Sequence, residues 1–202
     1  MEKIPGPMDF LNGYRLLLAS HSPRRRELLG MLDVPFDIAQ SIEVDETYSA
    51  DMPAAEVPAY LSQKKGDAYC KHLKQGEIVI TADTVVIIDG MILGKPKDEA
   101  DAIAMLEMLQ GRVQTVVTGV SLTDGTHRHT FSVSTEVEFA ALTPEEIRYY
   151  VERYRPLDKA GAYGIQEWIG AIGIEGIRGS FYNVMGLPVH RLYDELKAFV
   201  GK

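Results

Sequence analysis

The sequence predicts a mixed α/β fold rather than a doubly wound parallel sheet, and three observations carry that prediction. Strand-like apolar runs alternate irregularly with helical periodicity along the chain. Asp89-Gly90 and Asp124-Gly125 each separate two apolar runs, the short-range signature of antiparallel hairpins. A length of 202 residues, 46% hydrophobic and 25% charged, suits one domain with a sizeable core.

The elements follow in order. A strand at residues 15–19 runs through Leu16, Leu17 and Leu18 into a Ser-rich turn. Ser22 then has the chemistry of an N-cap, and Pro23 that of a first helical residue, for a helix over 23–32. A second strand is expected at 35–39, followed by the polar stretch SIEVDETYSAD. The next helix covers about 54–73, with Pro58 marking its effective start. An apolar strand at 77–80 leads through TADT, read as a junction, into a hairpin of 85–88 with 91–93. Helical periodicity over 98–109 ends before Gly111. Two long strands, 113–123 and 128–140, flank the Asp124-Gly125 turn. Thr143, Pro144 and Glu146 form a capping-box start for a helix ending near Arg153. A Gly-rich region spans 161–186, and an amphipathic helix over 188–199 closes the chain.

Composition excludes several function classes. A net charge of -8 argues against general nucleic-acid binding, which calls for a basic face. Cys70 is the only cysteine, so neither an internal disulfide nor a cysteine metal cluster can form. No segment has signal-peptide or membrane-span character; residues 1–13 read as a short, loosely ordered leader and the compartment as cytoplasm. His127 and His129 alternate on one strand face but follow a turn, which suits a solvated edge better than a metal pair. Ser-His-Asp spacing, a nucleophile elbow and a P-loop are all missing.

The chemistry instead gathers around an electrostatic mismatch. Arg24, Arg25 and Arg26 occupy the first turn of a helix, where the dipole favours acidic residues. An anion bound at that helix start resolves the mismatch, and free backbone N–H groups there suit phosphate. A two-residue Asp89-Gly90 turn sets Thr84 opposite Lys95, bringing Asp83 and Lys95 to about 8 Å at the open end of the hairpin. Strict alternation turns those two side chains to opposite faces, so their meeting requires a bulge near Gly94. Glu46, in the loop segment VDE, suits a hard cation bound through oxygen. Lys65 lies on a helix beside Lys64, and Gln166 stands among glycines that let a flat ligand approach closely. Together these groups suit a polyphosphate with a divalent cation.

Over about residues 14–196 the chain resembles the Maf family of nucleotide pyrophosphatases. The resemblance rests on LASHSPRR, VDE, QKKGDA, TADTVV, GKPKD, TGV, LDKAGAYGIQ and GSFYNVMGLP, in that order. It implies two lobes around a deep cleft, similar to the inosine triphosphate pyrophosphatases, in a single domain over 14–202. It also implies hydrolysis of a nucleoside triphosphate to the monophosphate and pyrophosphate with Mg²⁺ or Mn²⁺. Carried onto this chain, Asp83 is the proton acceptor, assisted by Lys65 and Lys95. Ser20, Arg24, Arg25, Lys65 and Lys95 bind the phosphates, and Glu46 with Asp83 holds the metal. Arg24, Thr84 and Gln166 match the dTTP/UTP branch, where the 7-methyl-GTP branch has an aromatic, Gln and Glu. Neither nucleic acid nor membrane is implied as a partner; a homodimer is left open. Alternatives are a modified-nucleotide pyrophosphatase and a nucleotide-binding regulator of cell division. Departures at His21, Tyr182 and EWIGAIGIEGI are expected at the cleft rim.

Overall fold

In the computed structural model, which describes residues 6–201, the three-leucine run forms β1 (Arg15–Leu18). The chain then enters α1 (Pro23–Gly30), where Ser22 Oγ accepts from the backbone N–H of Arg25 as its cap. β2 (Phe36–Ile38) and α2 (Val57–Tyr69) follow, the helix beginning beside Pro58. The polar TADT segment is not a junction: β3 (Glu77–Ile88) continues straight through it. β4 (Met91–Leu93) returns across Asp89-Gly90, both of whose φ angles are positive, as a two-residue hairpin turn of this kind requires. α3 (Glu99–Leu109) precedes the long pair β5 (Val113–Thr123) and β6 (Arg128–Phe139). α4 (Pro144–Tyr154) starts with the expected reciprocal Thr143–Glu146 capping box. The Gly-rich region holds more regular structure than its composition suggests: α5 (Trp168–Gly173), β7 (Ile174–Arg178) and α6 (Phe181–Met185). The amphipathic α7 (Val189–Val200) comes last.

The strands make one seven-stranded mixed sheet in the order β2-β1-β3-β5-β6-β7, with β4 joined to β3. β2, β1 and β3 are parallel, and the remaining pairs antiparallel. One edge of β3 positions the site. β1 covers that edge from Glu77 to Ile80, and β4 covers it from Val86 to Ile88. Between Ile80 and Val86 the edge is open, while β5 stays paired along the other side. A cleft forms at this gap.

Alternation along β3 sends side chains to two differently furnished faces. Thr81 and Asp83 face α2, where Thr81 Oγ1 donates to Ser62 O at 2.6 Å. Thr84 and Val86 face the opposite side, against Thr118 of β5 and the turn at Gly161. The α2 side is built for close approach: a Cβ at Gly119 of β5 would lie 2.2 Å from Pro58 C. The main core gathers Leu16, Leu18, Ile78, Ile80, Leu106 and Tyr150, all almost fully buried. Residues 8–11 depart from a loose leader. Leu11 is buried in the main core and Phe10 packs edge-on against Tyr193 of α7 at 5.8 Å. Residues 1–5 of that expected leader lie outside the described residues. Among the described residues no helix is long and apolar enough to cross a membrane.

Candidate active site

The open edge of β3 floors a cleft of about 890 Å³, within the usual range for small-molecule sites. Ser20, Arg24, Arg25, Glu46, Lys65, Asp83, Thr84, Lys95 and Gln166 all line it, so the residues singled out in the sequence converge. Asp83 and Lys95 both reach it without the bulge that strict hairpin alternation demanded. The β3–β4 ladder ends at Val86 and Leu93, and Gly94 turns away to accept from the N–H of Gly161. Lys95 thus leaves the hairpin before parity constrains it.

The acidic half of the site centres on one ammonium. Lys65 Nζ lies 2.7 Å from Asp83 Oδ1 and 3.0 Å from Glu46 Oε2. Asp83 and Lys65 are largely buried, whereas Glu46 is more than half exposed. The loop that presents Glu46 is tied down by its neighbour. Asp45 accepts from the backbone N–H and hydroxyl of Thr47 and from Lys64, hydrogen bonds that keep its carboxyl below the usual range. Lys64 therefore tethers the loop to α2 instead of standing merely solvated.

The chemistry of the donor set fits a hard divalent cation. Two carboxylates already converge on one positive charge, and Mg²⁺ commonly takes one or two carboxylates with phosphate oxygens completing its shell. Among the described residues no three His, Cys, Asp or Glu side chains are arranged to hold a metal ion, so a cation here would need oxygens from a ligand. His127 and His129 form no such cluster: His127 lies in the turn against Asp124, and His129 meets Glu195 on α7.

The basic half differs in detail from the expected clamp. Arg25 Nε donates to Gly186 O at 2.8 Å, Nη1 to Ala82 O at 2.9 Å and Nη2 to Thr84 Oγ1 at 2.9 Å. Burial pushes its pKa below the ordinary arginine value, opposed by the charge of Asp83. Arg25 therefore staples α1 to the open β3 edge, with only the rest of its fork free for a ligand. Arg24 meets Asp158 at 2.7 Å. Lys95 is exposed and makes no ion pair among the described residues.

Asp158 and Lys159 were not singled out in the sequence, although the segment LDKAGAYGIQ contains them. Lys159 is nearly buried, 2.8 Å from Asp158 and 3.1 Å from Glu167, and Glu167 also accepts from the Tyr150 hydroxyl. Burial raises the Asp158 carboxyl, but hydrogen bonds from Lys159 and Arg24 outweigh it and hold the pKa below its usual value. The available signal was a charged dipeptide inside a glycine-rich apolar stretch, where charges stay only if paired. Of the departures expected at the rim, His21 lines the cleft; Tyr182 and the 167–177 segment do not. That segment instead forms α5 and most of the edge strand β7.

The model of a family described as Maf-like protein matches residues 15–199. A dTTP/UTP pyrophosphatase of Bacteroides thetaiotaomicron is 51% identical over 187 residues, spanning 93% of this chain and 97% of the relative. One of Porphyromonas gingivalis is 53% identical over 194 residues, spanning 95% and 98%. Among solved structures, the Staphylococcus aureus Ham1 protein superposes with a TM-score of 0.51 at 18% identity, over 93% of this chain and 98% of that one. A HAM1 protein from Coxiella burnetii gives 0.50 at 16% identity, over 92% and 99%. These two show a shared fold.

Proposed function

This chain belongs to the Maf family, and on that premise we propose that it hydrolyses dTTP and UTP to the nucleoside monophosphate and pyrophosphate. The observation that carries the proposal is the convergence of Asp83 and Glu46 on Lys65, in a cleft that also holds Ser20, Arg24 and Lys95. Similarity to dTTP/UTP pyrophosphatases over nearly the full length supports the substrate class. Arg24, Thr84 and Gln166, the specificity residues, all line the same cleft.

In this reading Asp83 accepts the proton of the water that attacks the α-phosphorus. Lys65 holds Oδ1 of that carboxylate at 2.7 Å, which fixes its orientation on the cleft wall. Ser20, Arg24, Arg25, Lys65 and Lys95 bind the triphosphate, Arg25 through the part of its fork that the protein leaves free. Lys65 and Lys95 offset charge as the pyrophosphate departs, which is a matter of positioning and electrostatics. Glu46 and Asp83 are the residues to hold Mg²⁺ or Mn²⁺, which when bound neutralises phosphate oxygens and acidifies water. Thr84 and Gln166 read the pyrimidine edge.

Residues 14–202 act as a single domain, supported by one sheet and one main core. The partner is a small nucleotide, with no nucleic acid or membrane required; a homodimer is compatible with this site. The cytoplasm, where nucleoside triphosphates are made, is the compartment proposed.

Pyrophosphate release from dTTP, UTP, CTP, 7-methyl-GTP and ITP, measured side by side with Mg²⁺ and with Mn²⁺, tests the reading. A kcat/KM for dTTP and UTP at least about tenfold above the others is expected. A preference for 7-methyl-GTP or ITP would overturn the substrate class, and binding without turnover would overturn the enzyme.

A further inference from the structure

Behind Thr84 runs a hydrogen-bond chain whose direction can be worked out from proton counts. Thr118 Oγ1 lies 3.0 Å from the backbone carbonyl oxygen of Asn183 and 3.0 Å from Thr84 Oγ1. A carbonyl oxygen only accepts, so the single hydroxyl proton of Thr118 points at Asn183 O. Two oxygens 3.0 Å apart with no proton between them would repel, so Thr84 donates to Thr118. Arg25 Nη2 in turn donates to Thr84 Oγ1 at 2.9 Å. The order is Arg25 to Thr84 to Thr118 to Asn183 O, with no freedom left for the Thr84 proton.

The end of the chain is firmly seated. Thr118 and Asn183 are completely buried. The Asn183 side chain donates to Val116 O at 3.1 Å and to Thr135 Oγ1 at 3.0 Å. Its carbonyl also receives the N–H of Gly186 at 3.0 Å, where α6 ends. β5 and α6 thus set the orientation of a hydroxyl on β3.

We propose that Thr118 is a positioning residue for substrate choice: it takes the Thr84 proton and leaves Thr84 facing the cleft as a hydrogen-bond acceptor only. This rests on the pyrimidine reading of the site. The exposed edge of thymine or uracil carries O2, N3–H and O4, and N3–H is its single donor. An acceptor-only Thr84 therefore pairs with N3–H. Cytosine presents a bare N3 there, so two lone pairs meet and the base is rejected. A hydroxyl free to rotate would serve either base, and that freedom is what Thr118 removes.

Thr118→Val keeps the shape while deleting the acceptor, so the Thr84 proton is released. The measurement is kcat and KM for dTTP and dCTP with wild type, Thr118→Val and Thr118→Ser. The dTTP/dCTP ratio of kcat/KM is expected to fall about tenfold in Thr118→Val, chiefly through a lower KM for dCTP. Thr118→Ser, which keeps the hydroxyl, is expected to restore the ratio. A folded Thr118→Val with the wild-type ratio would overturn the proposal, as would an equal loss on both nucleotides. A wild-type enzyme that turns over dTTP and dCTP alike would overturn it too, whereas a preference for ITP or 7-methyl-GTP in the substrate panel above would overturn the pyrimidine reading, so the two failures are distinguishable.

Discussion

Asp83→Asn is expected to lower kcat for dTTP by about 10³-fold while leaving the fold intact, since a positioned general base contributes roughly 10²–10⁴. The substitution keeps the shape of the side chain on β3 and removes both its basicity and a cation ligand. Lys65 retains Glu46 at 3.0 Å, so its charge is not left alone in the partly buried site. The melting temperature should therefore move by only a few degrees, about the effect of 1 kcal/mol in a domain of this size. Steady-state kinetics with a parallel thermal melt checks both halves. A folded variant with the wild-type kcat would remove Asp83 from the role of proton acceptor.

Gly119→Ala is expected to be the most damaging small change in the sheet, costing about 3 kcal/mol, the upper part of the range for overpacking. Its new methyl would sit 2.2 Å from Pro58 C and 2.3 Å from Ala59 N. Those are backbone atoms of α2, so no rotamer change relieves the clash and the helix itself must move. Lys65 rides on that helix, and the distance to Asp83 opens with it. A melting temperature about 10 °C lower is expected, together with a larger loss of kcat than stability alone explains. An unchanged melt and unchanged kcat would mean that α2 is not held by this contact.

Much of the fold was legible because local signals and tertiary packing agree. The Asp89-Gly90 turn fixed its own hairpin, and the expected pairing of Val86 with Leu93 and Ile88 with Met91 is the one found. Ser22, Pro23 and the Thr143–Glu146 box likewise mark helix starts by chemistry confined to a few residues. TADT misled because its polar groups are satisfied at a distance: Thr81 by Ser62 O, Asp83 by Lys65 and Thr84 by Thr118. A short window reads such residues as loop, whereas the sheet needs them as strand. The 161–186 segment failed for the converse reason. Its glycines allow close approaches, such as Gly170 under Ile165 O and Gly161 against Val86, that packing alone defines.

The site was legible as an inventory rather than as a wiring diagram. Every residue given a catalytic, binding, specificity or metal role from the sequence lines the cleft, while Arg26 of the arginine triplet is exposed outside it, and partners decide their roles. Arg25 carried the same signal as Arg24, three arginines at a helix start, but the open edge of β3 offered the carbonyl of Ala82 and captured it. Arg24, one residue earlier and so about 100° around the helix, met Asp158 instead. Thr118 and Asn183 lie within the runs TGV and GSFYNVMGLP, yet their part was invisible there because an uncharged hydroxyl and a backbone carbonyl act only through Thr84.

Water attack at the α-phosphate is the central claim, and hydrolysis of dTTP in H₂¹⁸O tests it most directly. Mass spectrometry of the products should place the heavy oxygen in dTMP and leave the released pyrophosphate unlabelled. Label in pyrophosphate, or orthophosphate and dTDP as products, would contradict it.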